Sequence, residues 1–193
     1  MLPASLDLPS LDPARVPGWL GLDHVAIAVR AGELEAHVAA WRSLGFDEIH
    51  REEVRGTDQV REVLLAPGGG DGFGAVQLLE PLSDTSPVAR QIERGGGRGG
   101  LVHVAYRVRD AQAAFDALRA QGQRPIDAAP RPGSRGTTVF FVHPKPAQAA
   151  AGLGCLVEIV QSAPGRAGGA TRGEARADET GDAPPDRDRS GRG

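Results

Sequence analysis

One cysteine, Cys155, occurs in the 193 residues. A lone cysteine excludes a disulfide framework and a thiolate zinc cluster, and Cys155 reads as a small buried apolar side chain. An excess of one charge sign is also lacking. The 22 Lys and Arg stand against 25 Asp and Glu, a net charge of -3, so nothing electrostatic points to nucleic acid or an anionic membrane as partner. No apolar run approaches the roughly 20 residues that a membrane-spanning helix needs. The first 21 residues have neither a basic start nor a continuous apolar stretch, so they do not read as a secretory signal, and a reducing, cytoplasmic setting is expected. Residues 162–193 contain no Val, Ile, Leu, Met or aromatic residue. They cannot bury enough apolar surface to offset the entropy of ordering, so a disordered tail is expected there. Residues 1–20, rich in Pro, Leu and Asp without a period, read as an N-terminal extension. The folded domain is expected over 21–161.

Inside that span the sequence repeats itself. LDHVAIAVRA (22–31) lies over LVHVAYRVRD (101–110), and AVQLLEP (75–81) lies over LVEIVQS (156–162). In each copy an alternating apolar strand leads into a helix, expected at about 32–44 and 111–121. Gly45 and Gly122 are the stops, and Asp110 is an N-cap for the second helix. Three strand-like runs follow each helix: FDEIHREEV, QVREVLLAP and GAVQLLEP in the first half, and RPID, TTVFFVHP and CLVEIVQ in the second. The fold class is therefore α+β, with two βαβββ modules at about 21–82 and 100–161 and a linker helix at about 86–95. Two copies at this period make paired modules, not a solenoid.

The repeat sets four polar side chains at matched places in apolar strands. His24 and His103 take the third position of each first strand, and Gln77 and Glu158 take equivalent positions on each last strand. Alternation puts His24 on one face with Leu22, Ala26 and Ala28, and Val25, Ile27 and Val29 on the other. A lone strand histidine is commonly a hydrogen-bonded structural residue, but two His and two acceptors at matched places are hard to reconcile with four independent accidents. If the sheet curls so that first and last strands adjoin, the four converge in one cup. Two imidazoles, an amide oxygen and a carboxylate suit a six-coordinate divalent metal with two open positions. Glu62 sits mid-strand on the face of Val60, Leu64 and Ala66. It reads either as an exposed edge glutamate or, beside such a cup, as a general base. His37, His50 and His143 read as surface or structural residues, the last two at strand ends.

Paired βαβββ modules bearing His, Gln/Glu, His and Glu resemble the vicinal-oxygen-chelate superfamily of glyoxalases, extradiol dioxygenases and bleomycin-resistance proteins. More narrowly, LDHVAIAV, HREE…QVRE, LLEPLSDTSPVARQIE, GGLVHVAYRV and FVHPK…LVEIVQ are similar to methylmalonyl-CoA epimerases over about residues 22–161. The chain departs from that pattern in places. Val102 precedes His103 where many members carry another His, and residues 146–155 resemble an insertion before the last strand.

The resemblance implies a curled mixed sheet around a metal cup, with His24, Gln77, His103 and Glu158 as ligands. It also implies cobalt(II) as the metal, with Mn²⁺, Zn²⁺ or Ni²⁺ as substitutes. Glu62 would be a catalytic acid/base and Glu158 the second one, acting on an acyl-CoA thioester in a homodimer. The implied reaction interconverts the 2R and 2S forms of methylmalonyl-CoA through an enolate. Two other readings stay open: a glyoxalase I-like lyase or isomerase acting on a thiol adduct, and a metal-free small-molecule-binding protein of the bleomycin-resistance kind.

Overall fold

The computed structural model describes residues 16–70, 72–145 and 152–163. Most of the expected extension and tail lies outside the described residues. The first module runs β1 (Trp19–Ala28), α1 (Leu34–Ser43), β2 (Phe46–Val54), β3 (Val60–Pro67) and β4 (Ala75–Pro81). A linking helix α2 (Pro87–Arg94) leads to β5 (Gly100–Val108), α3 (Ala111–Ala120), β6 (Arg131–Pro132), β7 (Thr138–Val142) and β8 (Leu156–Gln161), with a 3-10 turn at Ser134–Gly136. The eight strands form one sheet in the order β2-β3-β4-β1-β5-β8-β7-β6. Within each module the first and last strands pair in parallel, β1 with β4 and β5 with β8, and the antiparallel β1–β5 seam joins the modules.

Alternation assigns the two faces. Val29, Val63, Leu65, Val76 and Leu78 pack against Leu34 and Val38 of α1. Phe140, Val142, Val157 and Ile159 pack against Ala114, Phe115 and Leu118 of α3. Each large side chain buried in this way contributes about 1.5–3 kcal/mol relative to exposure. The opposite face is left to form a cup. α2 lies at one end of it, with Val88 and Ile92 packed on Ala26, Ala28, Val60 and Leu79.

The helix starts obey the repeat. Asp110 accepts from the Ala113 N–H at 3.0 Å, as expected of an N-cap. α1 has no side-chain cap of its own. Instead Glu80, at the end of β4, accepts from the N–H groups of Gly32 (2.7 Å) and Leu34 (3.3 Å). At the equivalent end of β8, Gln161 accepts from Ala111 N–H at 2.8 Å. Each module thus satisfies orphan donors of its helix from its own last strand.

Some expectations are corrected. Val16 is buried in the core beneath α3 and β1 begins at Trp19, so the folded unit starts before residue 20. RPID contributes only an isolated bridge from Pro125 to Val142, and the paired strand β6 is the two residues Arg131–Pro132. A proline offers no N–H to a ladder, which shortens the pairing here. Leu22 does not share the face of His24: a register shift in β1 between them makes Asp23 an extra residue opposite β5. Leu22 turns outward, while Asp23 and His24 are both buried. His50 is not at a strand end but inside β2, and the shift between Glu48 and His50 turns it toward the concave side opposite Leu64.

Candidate active site

All five residues singled out for chemistry (His24, Glu62, Gln77, His103 and Glu158) are buried, on β1, β3, β4, β5 and β8 respectively. The seam brings the two modules' histidines together, with His24 Nε2 and His103 Nε2 3.1 Å apart. Glu158 Oε2 lies 3.3 Å from the first and 3.2 Å from the second. These three donors form a group that could hold a metal ion. An octahedral ion with bonds of about 2.1 Å sets neighbouring ligand atoms about 3.0 Å apart, so the triangle has the spacing of cis ligands. Gln77 occupies the β4 position matching Glu158: it pairs with Ala26 of β1 as Glu158 pairs with Ala105 of β5. Its Oε1 is buried without a hydrogen-bond partner. A buried amide oxygen left so is costly, and a cation in the cup would satisfy it.

The other amide atom has a different task. Gln77 Nε2 donates to Glu62 Oε2 at 3.0 Å, which leaves Glu62 Oε1 buried and without a hydrogen-bond partner. Burial lifts the Glu62 carboxyl to about 7, aided by the charges of Glu52 and Glu158. The nearby Ser134 hydroxyl and the Arg135 charge work against the rise. Glu52 sits directly opposite Glu62 on the neighbouring strand, where like charges repel. Glu158 behaves in the opposite way. Burial would raise it, but hydrogen bonds from His103 and His24 and their charges hold it well below the usual carboxylate range. For His24, burial would lower the value, yet Asp23 and Glu158 lift it to about 9.

The supporting shell was not legible in the sequence. Asp23, presented by the β1 bulge, accepts from His24 Nδ1 at 2.8 Å. This is the carboxylate–histidine arrangement that fixes a ligand's tautomer and leaves Nε2 free for a metal. Asp23 is in turn clamped by Arg107 Nε at 2.6 Å and Arg135 Nη2 at 3.0 Å. Arg107 stacks on Phe73, 3.8 Å from its ring centroid. His50 Nε2 lies 3.6 Å from Glu52 and 3.8 Å from Glu62, so it borders the site. His37 and His143 are peripheral, as expected: His37 is 4.0 Å from Glu33, and His143 Nδ1 accepts from Lys145 N–H at 3.0 Å.

A cavity of about 830 Å³ opens in front of Glu62, Gln77, His103 and Glu158. Its far end, beyond the metal-type donors, is filled by Leu64, Ala66 and Ala75 on one side and Ala105, Val139 and Val160 on the other.

Comparison with known proteins agrees with this geometry. The profile of the Glyoxalase/Bleomycin resistance protein/Dioxygenase superfamily matches residues 23–141. An ethylmalonyl-CoA/methylmalonyl-CoA epimerase of Cereibacter sphaeroides is 34% identical over 141 residues, 72% of this chain and 96% of that protein. The methylmalonyl-CoA epimerase structure from Mycobacterium tuberculosis aligns with a TM-score of 0.66 at 33% identity, covering 78% of this chain and 96% of the other. A methylmalonyl-CoA epimerase in complex with methylmalonyl-CoA and NH4+ aligns with a TM-score of 0.64 at 33% identity, covering 76% and 96%. With its paired modules, its matched donors at the seam and this extent of likeness, the chain belongs to the methylmalonyl-CoA epimerase family of the glyoxalase/bleomycin-resistance/dioxygenase superfamily.

Proposed function

We propose that this protein is a metal-dependent epimerase that interconverts the 2R and 2S forms of methylmalonyl-CoA. The carrying observation is the open oxygen of Glu62. Its Oε2 is held by Gln77, so Oε1 is the atom free to take a proton from the carbon between the thioester and the carboxylate. A carboxyl lifted to about 7 by burial is matched to taking and returning a proton near neutral pH. His24, Gln77, His103 and Glu158 would hold a divalent ion, which when bound supplies positive charge to stabilise an enolate. A set with a single carboxylate leaves a divalent site formally at +1, attractive to an anionic malonyl group.

Epimerisation needs a proton removed from one face of the carbon and one returned to the other, with no net change. Glu62 serves one face. For the opposite face the reading assigns Glu158, which is also a ligand and is held strongly anionic by two imidazoles. Glu158→Gln therefore tests two roles at once, and exchange at each face separates them. A thiol-adduct lyase gains no support from an amide at position 77, and a metal-free binding module leaves the buried Gln77 Oε1 unsatisfied. Cobalt(II), a homodimer and a cytoplasmic location complete the reading. They rest on the family likeness, and metal analysis, sedimentation and fractionation test them.

The deciding experiment is metal analysis of the purified protein followed by NMR of methylmalonyl-CoA in deuterated water. Stoichiometric divalent metal and metal-dependent exchange of the α-proton are expected. A metal-loaded protein that exchanges nothing would overturn the proposal.

A further inference from the structure

We propose that Arg94, at the end of α2, binds a phosphate of the acyl-CoA substrate, so that α2 recognises the nucleotide half while the cup holds the acyl half. This inference rests on the epimerase reading.

The shape of the cup gives the substrate's long arm a way out past α2. Beyond the donors the concave face is closed by Leu64, Ala66 and Ala75 and by Ala105, Val139 and Val160. Behind His24 the cluster of Asp23, Arg107 and Arg135 is buried. In the opposite direction the strands carry apolar side chains toward α2: Val60 after Glu62, Leu79 after Gln77, Val102 beside His103 at the β5 bulge, and Leu156 after Glu158. Val60, Leu79, Val102 and Leu156 line the cavity. There Pro87, Val88, Gln91 and Arg94 face the same cavity, spaced as one side of a helix. From Pro87 to Arg94 that side runs about 10 Å, at about 1.5 Å per residue. An arm leaving the cup thus passes along α2 and reaches Arg94.

Charge then selects the contact. The acidic part of the cavity lies at the N-terminal end of α2, opposite Arg94: Glu52, Glu53 and Asp58 of the β2–β3 hairpin and Asp127 line it, and Asp58 O accepts from the N-cap Ser86 Oγ at 3.0 Å. That end offers a phosphate carboxylates, and its arginines are already paired with them. Two arginines line the cavity, Arg94 and Arg131. Arg131 is already committed: its Nε donates to Asp127 at 3.0 Å, its Nη2 is 4.0 Å from Asp58, and its guanidinium lies over Phe141. Arg94 is exposed and, among the described residues, forms no ion pair or hydrogen bond. Arg90, one turn earlier on the same helix, is also exposed and adds positive potential. A planar guanidinium with an open fork suits a phosphate.

The test compares three thioesters: methylmalonyl-CoA, its dephospho form lacking the 3′-phosphate, and methylmalonyl-pantetheine, which lacks every nucleotide phosphate. Arg94→Ala should raise KM for methylmalonyl-CoA roughly three- to tenfold, the range for an exposed charge-assisted contact. Arg94→Glu should raise it further, and Arg94→Lys should restore most of the loss. On the pantetheine thioester the variants should match the unaltered protein. An effect retained on the dephospho thioester assigns the contact to the diphosphate, and one lost there assigns it to the 3′-phosphate. Added salt should raise KM for the CoA thioester less in Arg94→Ala than in the unaltered protein. Equal factors on all three thioesters, or no change on any, would overturn the phosphate contact. Failure of the epimerase reading shows differently: the unaltered protein then exchanges no α-proton on any thioester, and the phosphate contact falls with it.

Discussion

The two modules agree on where they place a histidine and its matched acceptor and disagree on what surrounds them. His24 and His103 are 79 residues apart in sequence and 3.1 Å apart at the seam. Gln77 and Glu158 occupy one position of the β1–β4 and β5–β8 pairings. Around these, the copies diverge. Glu62 is paired with Leu79, two residues beyond Gln77, and the equivalent partner of Val160, two beyond Glu158, is Val139. The symmetric place of the carboxylate is thus a buried valine. The bulge residue before each histidine differs as well: Asp23 braces His24, whereas Val102 packs toward α2. Duplication supplies a symmetric set of donors. Handed chemistry comes from the few places where one copy carries a charge and the other a methyl group.

The comparison can be broken most directly at the shared histidines. His24→Ala and His103→Ala should each abolish metal content and α-proton exchange, because either removes one of two imidazoles. Stoichiometric metal with activity in one of them would end the symmetric assignment.

Next comes the asymmetric carboxylate. Glu62→Gln should retain metal while kcat falls by about 10²- to 10⁴-fold, the usual share of a positioned proton-transfer group. Near-normal kcat would return Glu62 to the status of an ordinary buried carboxylate.

Asp23→Asn tests the brace that only the first module has. It should weaken metal affinity by about 10- to 100-fold, read by competition with a chelator. Retention of full affinity would show that the bulge serves packing alone.

The elevated His24 gives a pH signature. Its folded value, lifted to about 9 from the ordinary 6.5, means that without a bound ion its proton is kept below about pH 9. That proton must leave before an ion binds. Affinity should therefore rise with pH, by up to about tenfold per unit, and level off above about 9, with proton release on loading. Affinity flat between pH 7 and 9, measured calorimetrically in buffers of differing ionisation enthalpy, would remove His24 from the set.

The smallest effect concerns the matched helix contacts. Glu80→Ala and Gln161→Ala should each lower unfolding stability by about 0.5–2 kcal/mol, as for a lost helix cap, measured by denaturant titration. Glu80→Ala should cost more, since Glu80 also accepts from Arg61 Nη1 at 2.7 Å.

The residues of the candidate site were legible because each interrupts an apolar alternation, and the repeat shows the interruption twice. Glu62 was legible by the same signal in one copy. The supporting shell gave no comparable sign. Arg107 and Arg135 reach Asp23 across 84 and 112 residues, and nothing local marks either as its partner. Asp23 itself was visible as a charge inside an apolar strand next to a candidate ligand. Strict alternation sets adjacent residues on opposite faces, and only the bulge in β1 lets Asp23 and His24 both be buried. His50 was misplaced for a related reason, the irregular register between Glu48 and His50.

By itself, the sequence determined the α+β class, the two modules, the helix boundaries to within a residue or two and the candidate donors. Those depend on local periodicity and on self-similarity, which are written in the order of residues. Only the tertiary structure decided which side chains meet, that Gln77 gives its nitrogen to Glu62 and keeps a buried oxygen without a partner, and that Asp23 stands behind His24. Those facts depend on strand register, bulges and the β1–β5 seam, where a shift of one residue exchanges the two faces of a strand.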